Sequence, residues 1–425
     1  MKLPWSAGRS LSTKDWKQYR RRVLLDCRAC GIEPHDYFNL ARFPLLLEAE
    51  RWRSLAKLAE KLTKEALAAE RELLHRADLH EKLGLPRDIR SALQRRSRKQ
   101  RPENTPRVMR FDFHFTTEGW RISEVNADVM GGFIEGGSFT EQMAPYYAGF
   151  SPPPNPAAAY VEAILRVTGR DAWIVIVRNK LLVRYRGLKS IAREIRRRGM
   201  RAAMRLPGQV SWRANVAEIP GARRASKPDL LIRFYNADWL PRLHRRSQWA
   251  PWFSGAGTPV SNPARCMVIQ SKRWPLVWDE LSVPLITWRS LLPETRCPSE
   301  LPIESLADWV IKPVWGRAGA AVGIAGVTEQ KAYRRILRRA RRDPAGWVAQ
   351  RRFDSVTVPT EAGPQHICLG VFTIDGRVAG AYGRMAPKPL VDGYAEEIGI
   401  LIRSPLHAKR ARGQLSMVNN STEDD

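Results

Sequence analysis

The chain has 425 residues, enough to bury a large core and to divide into two or three domains. With 44% hydrophobic and 27% charged residues its balance is globular, which excludes a disordered chain. Its formal charge of +28 favours anionic partners such as nucleotides, acidic substrates or nucleic acid, although Arg spread over solvated faces would give the same excess.

Residues 12–100 read as helical, with Leu55, Leu58, Leu62, Ala66, Ala69 and Leu73 at three- and four-residue spacing. Pro34, Pro44, Gly84 and Pro86 punctuate this region, which carries no chemical motif and is expected to be scaffold. Cys27 and Cys30 have metal-like spacing, but no second Cys or His pair accompanies them. Together with Cys266, Cys297 and Cys368 they read as reduced thiols. The start, Met1-Lys2-Leu3-Pro4-Trp5, has no apolar signal stretch, and no apolar run nears the roughly 18–20 residues of a membrane span. A cytoplasmic protein is therefore expected. The basic run Arg95–Pro102 reads as a solvated linker closing a helical region 1–104.

Residues 110–126 are the most informative stretch. Alternation puts Phe111, Phe113 and Phe115 on one face and Arg110, Asp112 and His114 on the other. A three-residue loop, Thr117-Glu118-Gly119, would set Asp112 across from Glu124 and Arg110 across from Asn126. Two opposed carboxylates repel. A divalent cation would relieve them, since magnesium takes carboxylate, amide and phosphate oxygens. Arg110 would then stand where charge develops on a transferred phosphoryl group. An amphipathic hairpin with a solvated polar face and an Arg–Asp ion pair fits the alternation equally well. The glycines 131–132 and 136–137 tip the balance, because a flexible backbone beside that face suits a phosphate or substrate loop.

Further on, 156–262 alternates strand and helix patterns, with strands at 173–177 and 230–234 and a basic helix at 187–199. Trp309–Pro313 reads as a strand ending in Lys312 and leading into a small-residue loop with Gly316 and Gly319. Such a loop can close backbone N–H groups over phosphates while the lysine supplies a point charge. Lys272 is a second candidate lysine; a surface position at a helix start is the plainer alternative. Gln350, after the strand 347–349, could meet an adenine edge. Residues 367–384 form a hairpin turning at Asp375-Gly376, from whose end Arg384 could reach phosphate, with Lys388 in the loop beyond. His114 reads as a packed or solvated histidine rather than a base. The tail 404–425 is polar.

In this order the segments resemble the synthetase region of glutathionylspermidine synthases and their shorter relatives, over roughly residues 105–403. The resemblance rests on Arg110–His114, Glu124–Asn126 with the glycines after it, Arg233-Phe234-Tyr235 with Trp239-Leu240, Asn262-Pro263 with Ser271-Lys272, and Lys312-Pro313 with Gly316-Arg317 and Gly319. It implies an α/β fold of the ATP-grasp type, here with an additional N-terminal helical region, whose two subdomains hold ATP. The metal-binding carboxylates precede the ATP lysines, as in the permuted arrangement of that group. Carried over by position, Asp112, Glu124 and Asn126 would hold Mg2+, and Arg110 would act on the transferred phosphate. Lys272 and Lys312 would bind ATP phosphates, with Gly319 and Gln350 lining the nucleotide site. The implied organisation is a metal-site hairpin and Gly-rich segment at 105–155, an α/β subdomain at 156–262 and an ATP-binding subdomain at 263–403.

The implied reaction joins a small-molecule or short-peptide carboxylate to an amine through an acyl phosphate. This sequence departs from the pattern in the loops 127–132 and 318–321, which are less polar than in the relatives. Only a helical region, and no cysteine amidase, stands before the synthetase part, so amide hydrolysis is not expected. A polyamine acceptor sits against the charge of +28 unless a local acidic pocket receives it. Two alternatives compete: a nucleic-acid-binding protein using the basic helices Arg193–Arg201 and Arg334–Arg342, and an ATP-grasp module that binds nucleotide without ligating. The helices carry few aromatics, and Arg110, Asp112, Glu124 and Asn126 occur together, so the ligase is the favoured expectation. Neither nucleic acid nor a membrane is expected as a partner.

Overall fold

The computed structural model describes residues 3–29, 39–95, 105–179, 187–221, 226–244, 247–254, 257–302, 304–317 and 319–404. Cys30, most of the basic linker, Ala318 and the tail from 405 lie outside these residues.

Period-two alternation builds a five-stranded antiparallel sheet in the order Glu396–Ile398, Arg377–Ala386, His366–Ile374, Val108–Thr116, Gly119–Asn126. Phe111, Phe113, Ile122, Leu369 and Val371 bury one face of it completely. They share a core with Leu55, Ala59, Leu62, Ala66, Ala69 and Leu73 of the helix Ala49–Leu73, whose spacing made that stripe visible in the sequence. Inside this contact the Thr63 and Thr373 hydroxyls share a 2.7 Å hydrogen bond. Asp375 and Gly376 both take positive φ, +50° and +78°, as a tight primed hairpin turn requires.

The first hairpin corrects one expectation. It turns through two residues, because Gly119 pairs directly with Thr116, and a bulge at Ser123 then restores the offset. Arg110 thus faces Asn126, and Asp112 faces Glu124. The bulge turns two successive residues, Ser123 and Glu124, to the same cleft.

A second sheet is wholly parallel, in the order Val260–Ser261, Leu230–Phe234, Trp173–Arg178, Arg201–Arg205. One face packs on the helices Pro156–Thr168 and Gly187–Arg197, and the other joins the main core through Val175, Val177 and Leu231. Burial on both faces explains the unbroken apolar run at 173–177. Asn155 caps the first of these helices by accepting from the Ala157 and Ala158 N–H groups, with Pro156 at the first helical position.

The third sheet is antiparallel, Thr295–Arg296, Trp347–Arg351, Trp309–Pro313, and is covered by Ile336 and Ala340 of the helix Gln330–Arg342. The N-terminal region, expected as helices, also contributes strands. Trp5–Ala7 and Leu45–Leu47 form a sheet with Ile400–Arg403 and Phe150–Ser151. Cys27 is buried in an ordinary helical core, and the four described cysteines are free thiols. No helix among the described residues is long and apolar enough to cross a membrane.

Candidate active site

The polar face of the carboxylate hairpin and the end of the Lys312 strand meet over a cavity of about 340 Å³, room for a small-molecule ligand. Arg110, Asp112, Glu124, Asn126, Lys272, Lys312, Gly319, Gln350 and Arg384 all line it. The sequence-predicted residues therefore converge from both hairpins, the third sheet and the Lys272 segment. Lys388 does not join them and is exposed.

Asp112 is held by a two-pronged ion pair from Arg110, Nε to Oδ1 at 2.7 Å and Nη2 to Oδ2 at 2.9 Å. The third arm of Arg110 donates to the Gly131 carbonyl at 2.9 Å, and Arg384 lies 3.6 Å from Asp112. Lys272 Nζ bridges Glu124 at 3.1 Å and the Gly316 carbonyl at 2.9 Å. The opposed carboxylates are thus each met by a cation of the protein itself. Lys312 Nζ donates to Gln350 Oε1 at 2.6 Å and to the Ser123 carbonyl at 3.2 Å. Gln350 is therefore engaged through its oxygen, and its amide NH₂ is the end left to read a ligand.

Burial and charge compete at these groups. Burial alone would raise the Glu124 carboxyl, but Lys272 and Lys312 override it and hold it at about 2. Burial lowers Lys312 to about 8, with Glu124 opposing part of that fall. Burial pushes His114 down to about 4, so the ring is neutral near pH 7, where Nε2 shares a 3.0 Å hydrogen bond with Ser123 Oγ. Arg110 is buried, which would lower it, yet Asp112 more than compensates and keeps it charged. The Cys368 thiol, beside Arg384, is pushed up to about 12 by burial.

Two expectations about loops change. Gly136 and Gly137 are not a loose loop; they sit in a π-helical turn packed against Ala381 and Asn155, and of the four glycines only Gly131 reaches the cavity. In the loop after Lys312, the Gly316, Ala320 and Val322 N–H groups bond within the loop, to Pro313, Arg317 and Gly319. These three are not free to cradle phosphate. Gly316, Arg317, Gly319 and Ala320 nevertheless form the cavity wall.

Several motif residues turn out to fasten the site rather than line it. Fully buried Arg233 pairs with Asp128 at 2.6 Å and donates to the Asn262 carbonyl at 2.9 Å. The Asn262 side chain donates to the Val108 and Ala127 carbonyls and accepts from the Val108 N–H. Together they clamp the parallel sheet to both ends of the carboxylate hairpin.

Sequence reasoning missed Tyr382, Arg352, Phe353 and Cys368, which also line the cavity. Tyr382 and Arg384 lie two apart on one strand, so alternation places both on the same face; that signal was available. The lining combines apolar side chains, among them Val310, Ile324, Phe353 and Leu390, with basic ones. No group of three or more His, Cys, Asp or Glu side chains gathers as a metal site among the described residues.

Fold and site together define a mixed α/β protein with a basic, partly apolar cleft between sheets. No family model matches the chain, and no curated protein matches it. Among solved structures it is similar to a Methylobacillus flagellatus protein provisionally named a gamma-glutamylcysteine synthetase, at 14% identity over 80% of this chain and 88% of that one, with a TM-score of 0.42. At that score the two share too little geometry for one to inform the other.

Proposed function

We propose that the cleft binds ATP with magnesium and that the protein is an ATP-dependent carboxylate–amine ligase of the ATP-grasp kind, glutathionylspermidine synthase-like in its catalytic set. One observation carries this reading: nine residues named from distant segments line a single cavity that also holds apolar side chains. Apolar lining suits a purine and the basic side chains suit a triphosphate.

In this reading Lys272, Lys312 and Arg384 neutralise phosphates, and Arg110, oriented by Asp112, stabilises charge on the γ-phosphoryl group in transit. The Gln350 amide reads the base. Asp112, Glu124 and Asn126 offer the hard oxygen chemistry magnesium prefers, and the Asn126 amide nitrogen is buried without a partner among the described residues, so that side chain is uncommitted. Two carboxylates and an amide are too few to enclose the ion, which matches a cation that arrives with phosphate oxygens as further ligands. When bound, it supplies charge neutralisation between phosphates.

The substrate carboxylate attacks the γ-phosphorus, the bond to the β–γ bridging oxygen breaks, and ADP leaves. The amine nitrogen then attacks the acyl carbon, the C–O bond to phosphate breaks, inorganic phosphate departs and the amine proton passes to solvent. Positioning and charge neutralisation drive both steps, so no side-chain nucleophile is required.

The test is ADP release over a panel of carboxylates and amines. Asp112→Ala and Asp112→Asn should each lower turnover by about a hundredfold or more. The amide variant preserves shape but leaves buried Arg110 without its counter-charge, so a thermal melt of each variant is measured beside its rate. Wild-type rates in both variants would contradict the assignment. ATP binding without turnover on any pair would favour a non-catalytic nucleotide-binding module.

A further inference from the structure

The cleft wall carries six cationic side chains, Arg110, Lys272, Lys312, Arg317, Arg352 and Arg384, against two carboxylates, Asp112 and Glu124. Asp112, Glu124, Asp238 and Asp354 are each already engaged by one of these cations. Asp112 takes Arg110, Glu124 takes Lys272, Asp238 takes Arg317, and Asp354 lies 3.4 Å from Arg352. Asp392 stands behind Gly319 and accepts from the Tyr394 N–H. The cleft lining thus carries more cations than carboxylates.

Arg317 is distinct from the phosphate-side cations. It stands on the loop after Lys312, its guanidinium 5.0 Å from the centre of the Trp239 ring and paired with Asp238. Its side chain is 37% exposed while that of Asp238 is 8% exposed, so Arg317 is the more accessible member of the pair. Burial raises the Asp238 carboxyl even with Arg317 beside it. Val129 and Gly131, just past the carboxylate hairpin, line the same cavity.

From these contacts we infer that the acceptor amine is borne by an anionic molecule, an amino acid or short peptide, whose carboxylate is received by Arg317, and that polyamines are excluded. This rests on the ligase reading. The amine nitrogen still attacks the acyl carbon and displaces phosphate; what the cleft selects is the charge of the molecule carrying it. A carboxylate at Arg317 gains a planar, ring-backed cation, whereas a second or third ammonium of a polyamine would enter a lining with six cations against two carboxylates.

The experiment measures ADP release by the full chain with ATP, Mg2+ and L-glutamate or glutathione as donor. The acceptors are L-alanine, L-cysteine and glycylglycine on one side and putrescine and spermidine on the other. Faster release with the amino-acid or dipeptide acceptors, by about tenfold in kcat/KM, is expected. Faster release with spermidine overturns this inference and leaves the ligase reading standing. No release with any of these acceptors overturns both. Arg317→Gln, checked by thermal melting to be folded, should raise KM for the favoured acceptor about tenfold with kcat little changed. An unchanged acceptor KM would remove Arg317 from the site.

Discussion

Tyr382 shows how much of the cleft is decided by single side chains. Its ring lies 5.0 Å from the Arg110 guanidinium and 5.8 Å from that of Arg384, both cations over one aromatic face system. A Cβ on Gly132 would stand 2.8 Å from this ring, and one on Gly370 would stand 2.7 Å from it, so the ring fills a slot that only glycines leave open. Because a cation–π contact in a desolvated setting is worth about 1–2 kcal/mol, Tyr382→Leu should weaken ATP binding about tenfold while Tyr382→Phe stays near wild type. Titration calorimetry of both variants decides it, and equal affinities would show that the ring only fills space. Arg110, Asp112, Glu124 and Asn126 were legible because alternation orders a strand's faces without reference to the rest of the molecule. Arg317 and Arg352 were not legible as cleft residues, since their arrival depends on how the third sheet docks. The bulge at Ser123 was legible too, since the apolar positions Ile122 and Val125 lie three apart in an otherwise period-two strand.

At the scale of elements, the long strands and helices follow their periodicities, and the short strands do not. Trp5–Ala7 and Leu45–Leu47 span three residues each, too few to show any period, and Ile400–Arg403, which pairs with the second of them, is far along the chain. The Asp375–Gly376 hairpin is the opposite case, a turn written in two residues. Gly376 holds φ +78°, and Asp375 ties the turn to the carboxylate hairpin by accepting from the Arg107 N–H at 2.8 Å. Nothing lies within 4 Å of a Cβ built on Gly376, so any penalty there comes from the backbone alone. Gly376→Ala should therefore cost about 1 kcal/mol in urea unfolding and leave ATP affinity unchanged, the cleft lying at the other end of these strands. A larger loss, or a fall in affinity, would mean that the turn shapes the cleft.

For the molecule as a whole, the cleft exists because separate sheets are tied together by buried ion pairs. Arg107 clasps Glu70 through two 2.7 Å contacts, joining the long helix to the start of the carboxylate hairpin. Part of the high net charge is paired: Arg193 and Arg198 of the basic helix region meet Asp26, Glu162 and Glu194. The decisive tie is Arg233–Asp128, whose side chains are 0% and 6% exposed. Asp128 also accepts from the Ala237 N–H and follows Asn126 by two residues, so the pair fixes where the end of the hairpin lies. Arg233→Met would leave the Asp128 carboxylate buried without its cation, a loss of about 3–5 kcal/mol in denaturant unfolding. Adding Asp128→Asn removes the stranded charge and should recover more than half of that stability. Because the latch that orients Asn126 is absent in both variants, ATP affinity should stay low even where stability returns. Recovery of affinity along with stability would mean that the hairpin end holds its position without the latch.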